Sequence, residues 1–161
     1  MAKSELQMSA ADSLLRTFDI HSRITVYLLQ NLDPQCWHAP TPDGKGRDIA
    51  GLVCHIHSVH CMWLKAAASA TIPVALDKST VTQGEAISAL EQSATLLRTL
   101  VGEALSSGVR LKNFKPDAVA FVGYLIAHDS HHRGQISMLA RQSGFPLAKT
   151  ANFGLWEWGT R

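Results

Sequence analysis

Apolar residues recur at helical spacing through four long segments of this chain, and almost nowhere do they alternate as a strand requires. The first segment runs from about Met8 to Leu32, with Leu14, Leu15, Phe18, Ile24, Tyr27 and Leu28 forming its stripe. It stops at Asp33-Pro34, and HAPTPDGKGR, from His38 to Arg47, reads as loop because Pro and Gly dominate it. The second has Asp48 as N-cap, carries Ile49, Leu52, Val53, Ile56, Val59 and Trp63, and fades near Ala70. The third opens on Thr82-x-x-Glu85, which fits a capping box, uses Ile87, Leu90, Leu97, Leu100, Val101 and Leu105, and stops at Gly108. The fourth follows Lys115-Pro116-Asp117 and continues through Val122, Leu125, His128, His132, Ile136 and Leu139 to Gly144. The pattern predicts an all-α chain: an antiparallel-type four-helix bundle followed by a C-terminal irregular tail.

A length of 161 residues suits one domain spanning 1–161, and 46% hydrophobic residues suffice for its core. The formal charge is only +2 and the 15 Lys and Arg are scattered, which argues against nucleic acid and anionic membranes as partners. Charges come too early in MAKSELQMSAADSLLRTFD for a secretory signal, and no run of about 18 apolar residues occurs. The expectation is a cytoplasmic, soluble protein. Cys36, Cys54 and Cys61 are odd in number and lack C-x-x-C spacing, so they read as reduced, partly buried thiols.

Histidine placement carries the chemistry. AHDSHHRGQ, Ala127 to Gln135, falls in the middle of the fourth segment, and His128 and His132 are four residues apart on one helical face. Two imidazoles so arranged can converge on one ion, zinc, nickel and iron being best suited to neutral imidazole. His131 points about a quarter-turn away, toward solvent or a neighbouring helix. CHIHSVHCMW, Cys54 to Trp63, supplies further candidates from the second segment. His55 shares a face with Leu52, Val59 and Met62, His57 lies well round the helix, and His60 falls near the Ile56 and Trp63 stripe. Their directions diverge, so only one can join the pair on the fourth segment. The bland arrangement has one core histidine, bonded to a backbone or carboxylate group, and the others exposed.

A histidine-bearing second helix running into MWL, and GYLIAHDSHHRGQISML on the fourth, make the chain similar to the DinB/YfiT-like family of metal-dependent proteins. The H-x-x-x-H-R-G-Q element, His128 to Gln135, is the specific part of the match. The resemblance implies a four-helix bundle whose divalent metal, zinc or nickel, is held by His55, His128 and His132. It also implies frequent homodimers and kinship with thiol-dependent S-transferases and maleylpyruvate-isomerase-like enzymes. His57 competes for the helix-two role, and His21 can face the same pocket from the first helix.

His128-Asp129-Ser130-His131-His132 also resembles H-E-x-x-H with aspartate for glutamate, a zinc-peptidase reading weakened by the shorter acid and an upstream third histidine. Asp129 has an ordinary alternative as the i, i+4 partner of Arg133. A di-iron carboxylate bundle is less well supported, because no Glu-x-x-His occurs in the chain. Three neutral ligands would leave a divalent ion positively charged with an open position, where water is acidified and a thiol ionised. The expected function is therefore a metal-dependent transferase or hydrolase acting on a small molecule, with a low-molecular-weight thiol as co-substrate. A catalytically silent bundle using the metal or the dimer interface for stability or regulation is the alternative. For the tail NFGLWEWGTR, Asn152 to Arg161, the expected role is to cap the core or form a dimer contact.

Overall fold

A computed structural model describes residues 8–161. The first seven residues, which the sequence reading includes in the domain and in its argument against a signal, lie outside them. Four long helices form: α1 (Ala10–Gln30), α2 (Ile49–Ala66), α3 (Gln83–Ser107) and α4 (Ala118–Gln142). A single 3₁₀ turn at Pro34–Cys36 lies in the α1–α2 connection. No strand occurs among the described residues, and none of their helices is long and apolar enough to cross a membrane.

Side chains cap the start of every long helix. Ser9 accepts from the Asp12 amide, Asp48 from that of Gly51 and Asp117 from that of Ala120, and Thr82 and Glu85 form the expected capping box. Each cap contributes about 1 kcal/mol by satisfying amides that the helix cannot. The C-terminal stretch departs from the expectation of an irregular tail, because Lys149–Gly154 forms a short helix, α5. Gly154 leaves no space for a Cβ against the Tyr27 ring, and the Arg161 guanidinium lies 3.8 Å from that ring's centroid. The tail is thus fastened to α1, with Trp156 and Trp158 facing outward.

Within the bundle α3 and α4 each pack against both α1 and α2. Two separate apolar clusters give the helix directions. One gathers the end of α1 (Leu28, Leu29), the starts of α2 (Ile49, Val53) and α3 (Ala86, Leu90), and the end of α4 (Ile136, Ala140). The other gathers the start of α1 (Phe18), the ends of α2 (Leu64) and α3 (Leu97, Val101), and the start of α4 (Phe121, Leu125). Helices α2 and α3 therefore run parallel, as do α1 and α4, where the sequence reading expects antiparallel neighbours. A parallel pair requires a return connection the length of the helix, and residues 67–82 supply it as a strap.

Between the two clusters lies a buried polar layer: His21 and Thr25 from α1, His57 and His60 from α2, Ser93 from α3, and Asp129 and His132 from α4. Polar groups at this depth persist only when bonded, since an unpaired one costs several kcal/mol. Their pairing defines the site.

Candidate metal centre

Asp129 is the hub of the layer. His21 Nε2–H and His60 Nε2–H donate to its Oδ2 at 3.2 and 3.1 Å, and His128 Nδ1–H donates to its Oδ1 at 2.9 Å. Burial pushes the Asp129 carboxyl up, but the His60 imidazole and the three hydrogen bonds outweigh it and hold the group well below the ordinary carboxylate range. The expected Asp129 to Arg133 ion pair does not form. Arg133 turns instead to α1, where Nη1 donates to His21 Nδ1 and Thr25 Oγ1, both at 2.9 Å, while Nη2 donates to Ser130 Oγ at 2.7 Å. The buried His21 ring, bridging an acid and a base 108 and 112 positions away, is the better-placed partner for both.

His57 and His60 are both core residues, which corrects the expectation that one would be buried and the others exposed. His60 presents Nδ1 to Ser93 Oγ at 3.0 Å, and His57 Nε2–H donates to the Val74 carbonyl of the strap at 2.9 Å. Burial lowers the pKa of His21 and of His57, so both rings stay neutral further into acid than a free imidazole.

His55 stands apart from these. It sits half-buried at the edge of α2, on a face whose Met62 is exposed, and looks across to α4. One nitrogen from each of His55, His128 and His132 lies within 4.8 Å of the others. His128 Nε2 and His55 Nε2 face each other at 3.4 Å. Two nitrogens bound to one tetrahedral zinc-like ion at about 2.0–2.1 Å stand ~3.3 Å apart, so this spacing fits a shared cation. His128 and His132 are already oriented at their other nitrogens: Nδ1–H of His128 donates to Asp129, and Nδ1–H of His132 donates to Gln135 Oε1 at 2.7 Å. Such outer partners fix the tautomer and leave Nε2 as a lone pair. The donor set of three neutral imidazoles fits a divalent ion of the zinc or nickel type.

Burial lowers the His55 pKa, followed by the charge of nearby Arg47 and the proximity of His132 and His128, because a proton there would be repelled by one on a neighbouring ring; burial also lowers that of His132, against a raising hydrogen bond with Gln135. The structure therefore brings together the three histidines that the resemblance singles out, and places His57 and His21 elsewhere. His131 is exposed, as its position on α4 predicts. Asp129, in the place glutamate holds in H-E-x-x-H, has both oxygens committed to imidazoles, which leaves none aimed at a water as the peptidase reading needs.

Sequence reasoning missed Asp129 as a hub, the Arg133–His21 contact, Ser93 and the strap carbonyl. Gln135 was within reach, because it sits at i+3 from His132 in an element already singled out. Beside the histidines the 41–47 loop and α4 enclose a groove of about 570 Å³, with His132 and Gln135 in its lining. A family model described as the DinB family matches residues 4–155. No curated protein and no solved structure matches the chain.

Proposed function

The chain belongs to the DinB family, and from that premise we propose that it is a metal-dependent enzyme of small-molecule chemistry, with His55, His128 and His132 as the metal ligands. The observation that carries the reading is the convergence of three imidazoles, two of them locked at Nδ1, on one point beside a groove. A divalent ion held there would supply Lewis acidity and favour the ionised form of a water or thiol. The protein's own part is to orient and to exclude. Asp129 and Gln135 hold two rings in place, the buried layer beneath keeps solvent from the inner side, and the groove admits a reactant from the outer side. Among the described residues no carboxylate completes the three-histidine group, so the geometry favours transfer or hydrolysis, with a low-molecular-weight thiol as nucleophile in the transfer case. We place the protein in the cytoplasm and expect a homodimer that covers the outward-facing Phe153, Trp156 and Trp158.

Elemental analysis of protein purified without a histidine tag tests the reading. About one transition-metal ion per chain is expected, lost in His55→Ala, His128→Ala and His132→Ala and retained in His57→Ala and His131→Ala. Retention in His55→Ala with loss in His57→Ala would overturn the ligand set. Light scattering at micromolar concentration checks the dimer, which should shrink to the chain mass when residues 152 to 161 are removed.

A further inference from the structure

The groove beside the histidines differs from another on the bundle in the state of its cations. A groove of about 640 Å³ between α1, α3 and the tail contains Arg23, Arg98 and Arg161, and each is engaged: with the Arg161 carbonyl, with Asp19 and with Glu157. In the groove of about 570 Å³, Lys45 and Arg47 have side chains with neither hydrogen bond nor ion pair among the described residues. Its one carboxylate, Asp43, accepts from the Lys45 amide at 3.1 Å, and Asp48, next to Arg47, is occupied by the Gly51 amide at 2.8 Å and by His38 at 3.5 Å.

Arg47 is placed by the fold. A Cβ added at Gly51 would lie 3.2 Å from Arg47 Cβ and 3.6 Å from its Cγ, so glycine there lets the arginine stem lie across the first turn of α2. Gly51 and His55 are four residues apart on the same helical face, which directs the stem along the side of α2 that carries His55. The loop before it is internally braced, with Thr41 Oγ1 donating to the Lys45 carbonyl at 2.7 Å and Gly46 at φ 83, a conformation that glycine adopts without strain. Leu52, Met138 and Leu139 add apolar surface to the lining of the same groove.

We propose that this groove receives a small organic anion with an apolar body, its carboxylate bound by Arg47 with Lys45 beside it and its reacting end at the three histidines. This rests on the metal-centre reading above. A planar guanidinium grips a carboxylate through two parallel hydrogen bonds. Three neutral ligands leave the charge of a divalent ion uncompensated, so ion and arginine draw the same sign of ligand into a half-enclosed groove.

The test titrates cobalt-loaded protein with 3-mercaptopropionate, 2-mercaptoethanol and cysteamine, following the sulfur-to-cobalt charge-transfer band. The anionic thiol should half-saturate at a concentration at least about 10-fold lower than the neutral or cationic one, although its own carboxylate disfavours thiolate formation. Arg47→Ala should collapse that ratio to about 2-fold or less and Arg47→Lys should keep part of it; thermal melts of both variants confirm folding. Equal affinity for the three thiols, or an unchanged ratio in Arg47→Ala, would overturn the proposal. Failure of the metal reading shows differently, as no bound cobalt or no band with any thiol. In that event metal-free protein is titrated with 3-phenylpropionate by amide NMR. Shifts at residues 43–47 and 132–139 that vanish in Arg47→Ala uphold the anion groove without the metal, and their absence overturns it.

Discussion

Two sets of three histidines lie within one bundle and are used in opposite ways. In the buried layer, His21, His57 and His60 face a partner at both ring nitrogens: Asp129 and Arg133, Val74 and Ser93, Asp129 and Ser93. At the edge, His128 and His132 are held by one nitrogen and His55 by neither, apart from the imidazole it faces. The single Ser93 hydroxyl proton can serve only one of the two Nδ1 atoms beside it, but a ring with a protein group against each nitrogen is closed to an ion and serves the fold. A ring held on one side is oriented yet free, which is what a ligand requires. Asp129 belongs to both sets, so the open centre is braced by the same carboxylate that joins α1, α2 and α4.

The largest expected effect breaks that shared hub. Asp129→Ala strands three imidazole N–H groups and removes the counter-charge near half-buried Arg133, and should cost about 3–5 kcal/mol in denaturant unfolding of metal-free protein. A loss below about 1 kcal/mol would mean that the two sets are not coupled through it. The next contrast separates them. His21→Ala leaves Asp129 and Arg133 each short of a partner and should cost about 1–3 kcal/mol while keeping the metal stoichiometry. His128→Ala should do the reverse, abolishing metal binding while changing metal-free stability by less.

Acidification sharpens the comparison further. His21 and His57 have pKa values below 6.5 in the fold, so the unfolded chain binds protons before the native one does. Their contribution is complete above pH 6.5 and is lost as pH falls through that value toward the lowered one. Asp129 adds a second loss in the same direction below pH 3.8. Melting temperature of the metal-free protein should therefore fall steadily from pH 7 to 5, and His57→Gln should flatten the slope more than the more exposed His55→Gln does. The smallest effect falls on the outer brace. Gln135→Ala should weaken metal binding about 10-fold, measured by competition with a chelator, with stability changed by less than about 1 kcal/mol.

Most of the helix ends were legible because caps are local: Asp48, Thr82 with Glu85, and Asp117 act within four residues of their own positions. The α4 histidine pair was legible for the same reason, since i, i+4 spacing places both rings on one face of any helix. The choice among His55, His57 and His60 was not, because all three lie within six residues of α2, whose only resolvable local signal is direction. Direction placed His60 on the core stripe and left His57 undecided until the strap passed over it.

The sequence by itself determined the helices, their starts, the absence of strand patterning and a pair of histidines able to share an ion. Those follow from interactions spanning three or four residues, which neighbouring side chains settle before any tertiary contact forms. Tertiary structure decided the parallel pairing of α2 with α3, the strap carbonyl at His57, the turn of Arg133 to α1, and which histidines remained free. Each of these depends on which group arrives from far along the chain, 17 positions away for the strap carbonyl and 112 for Arg133. A buried acid or base takes the partner that folding brings within hydrogen-bond distance, not the one nearest along the chain.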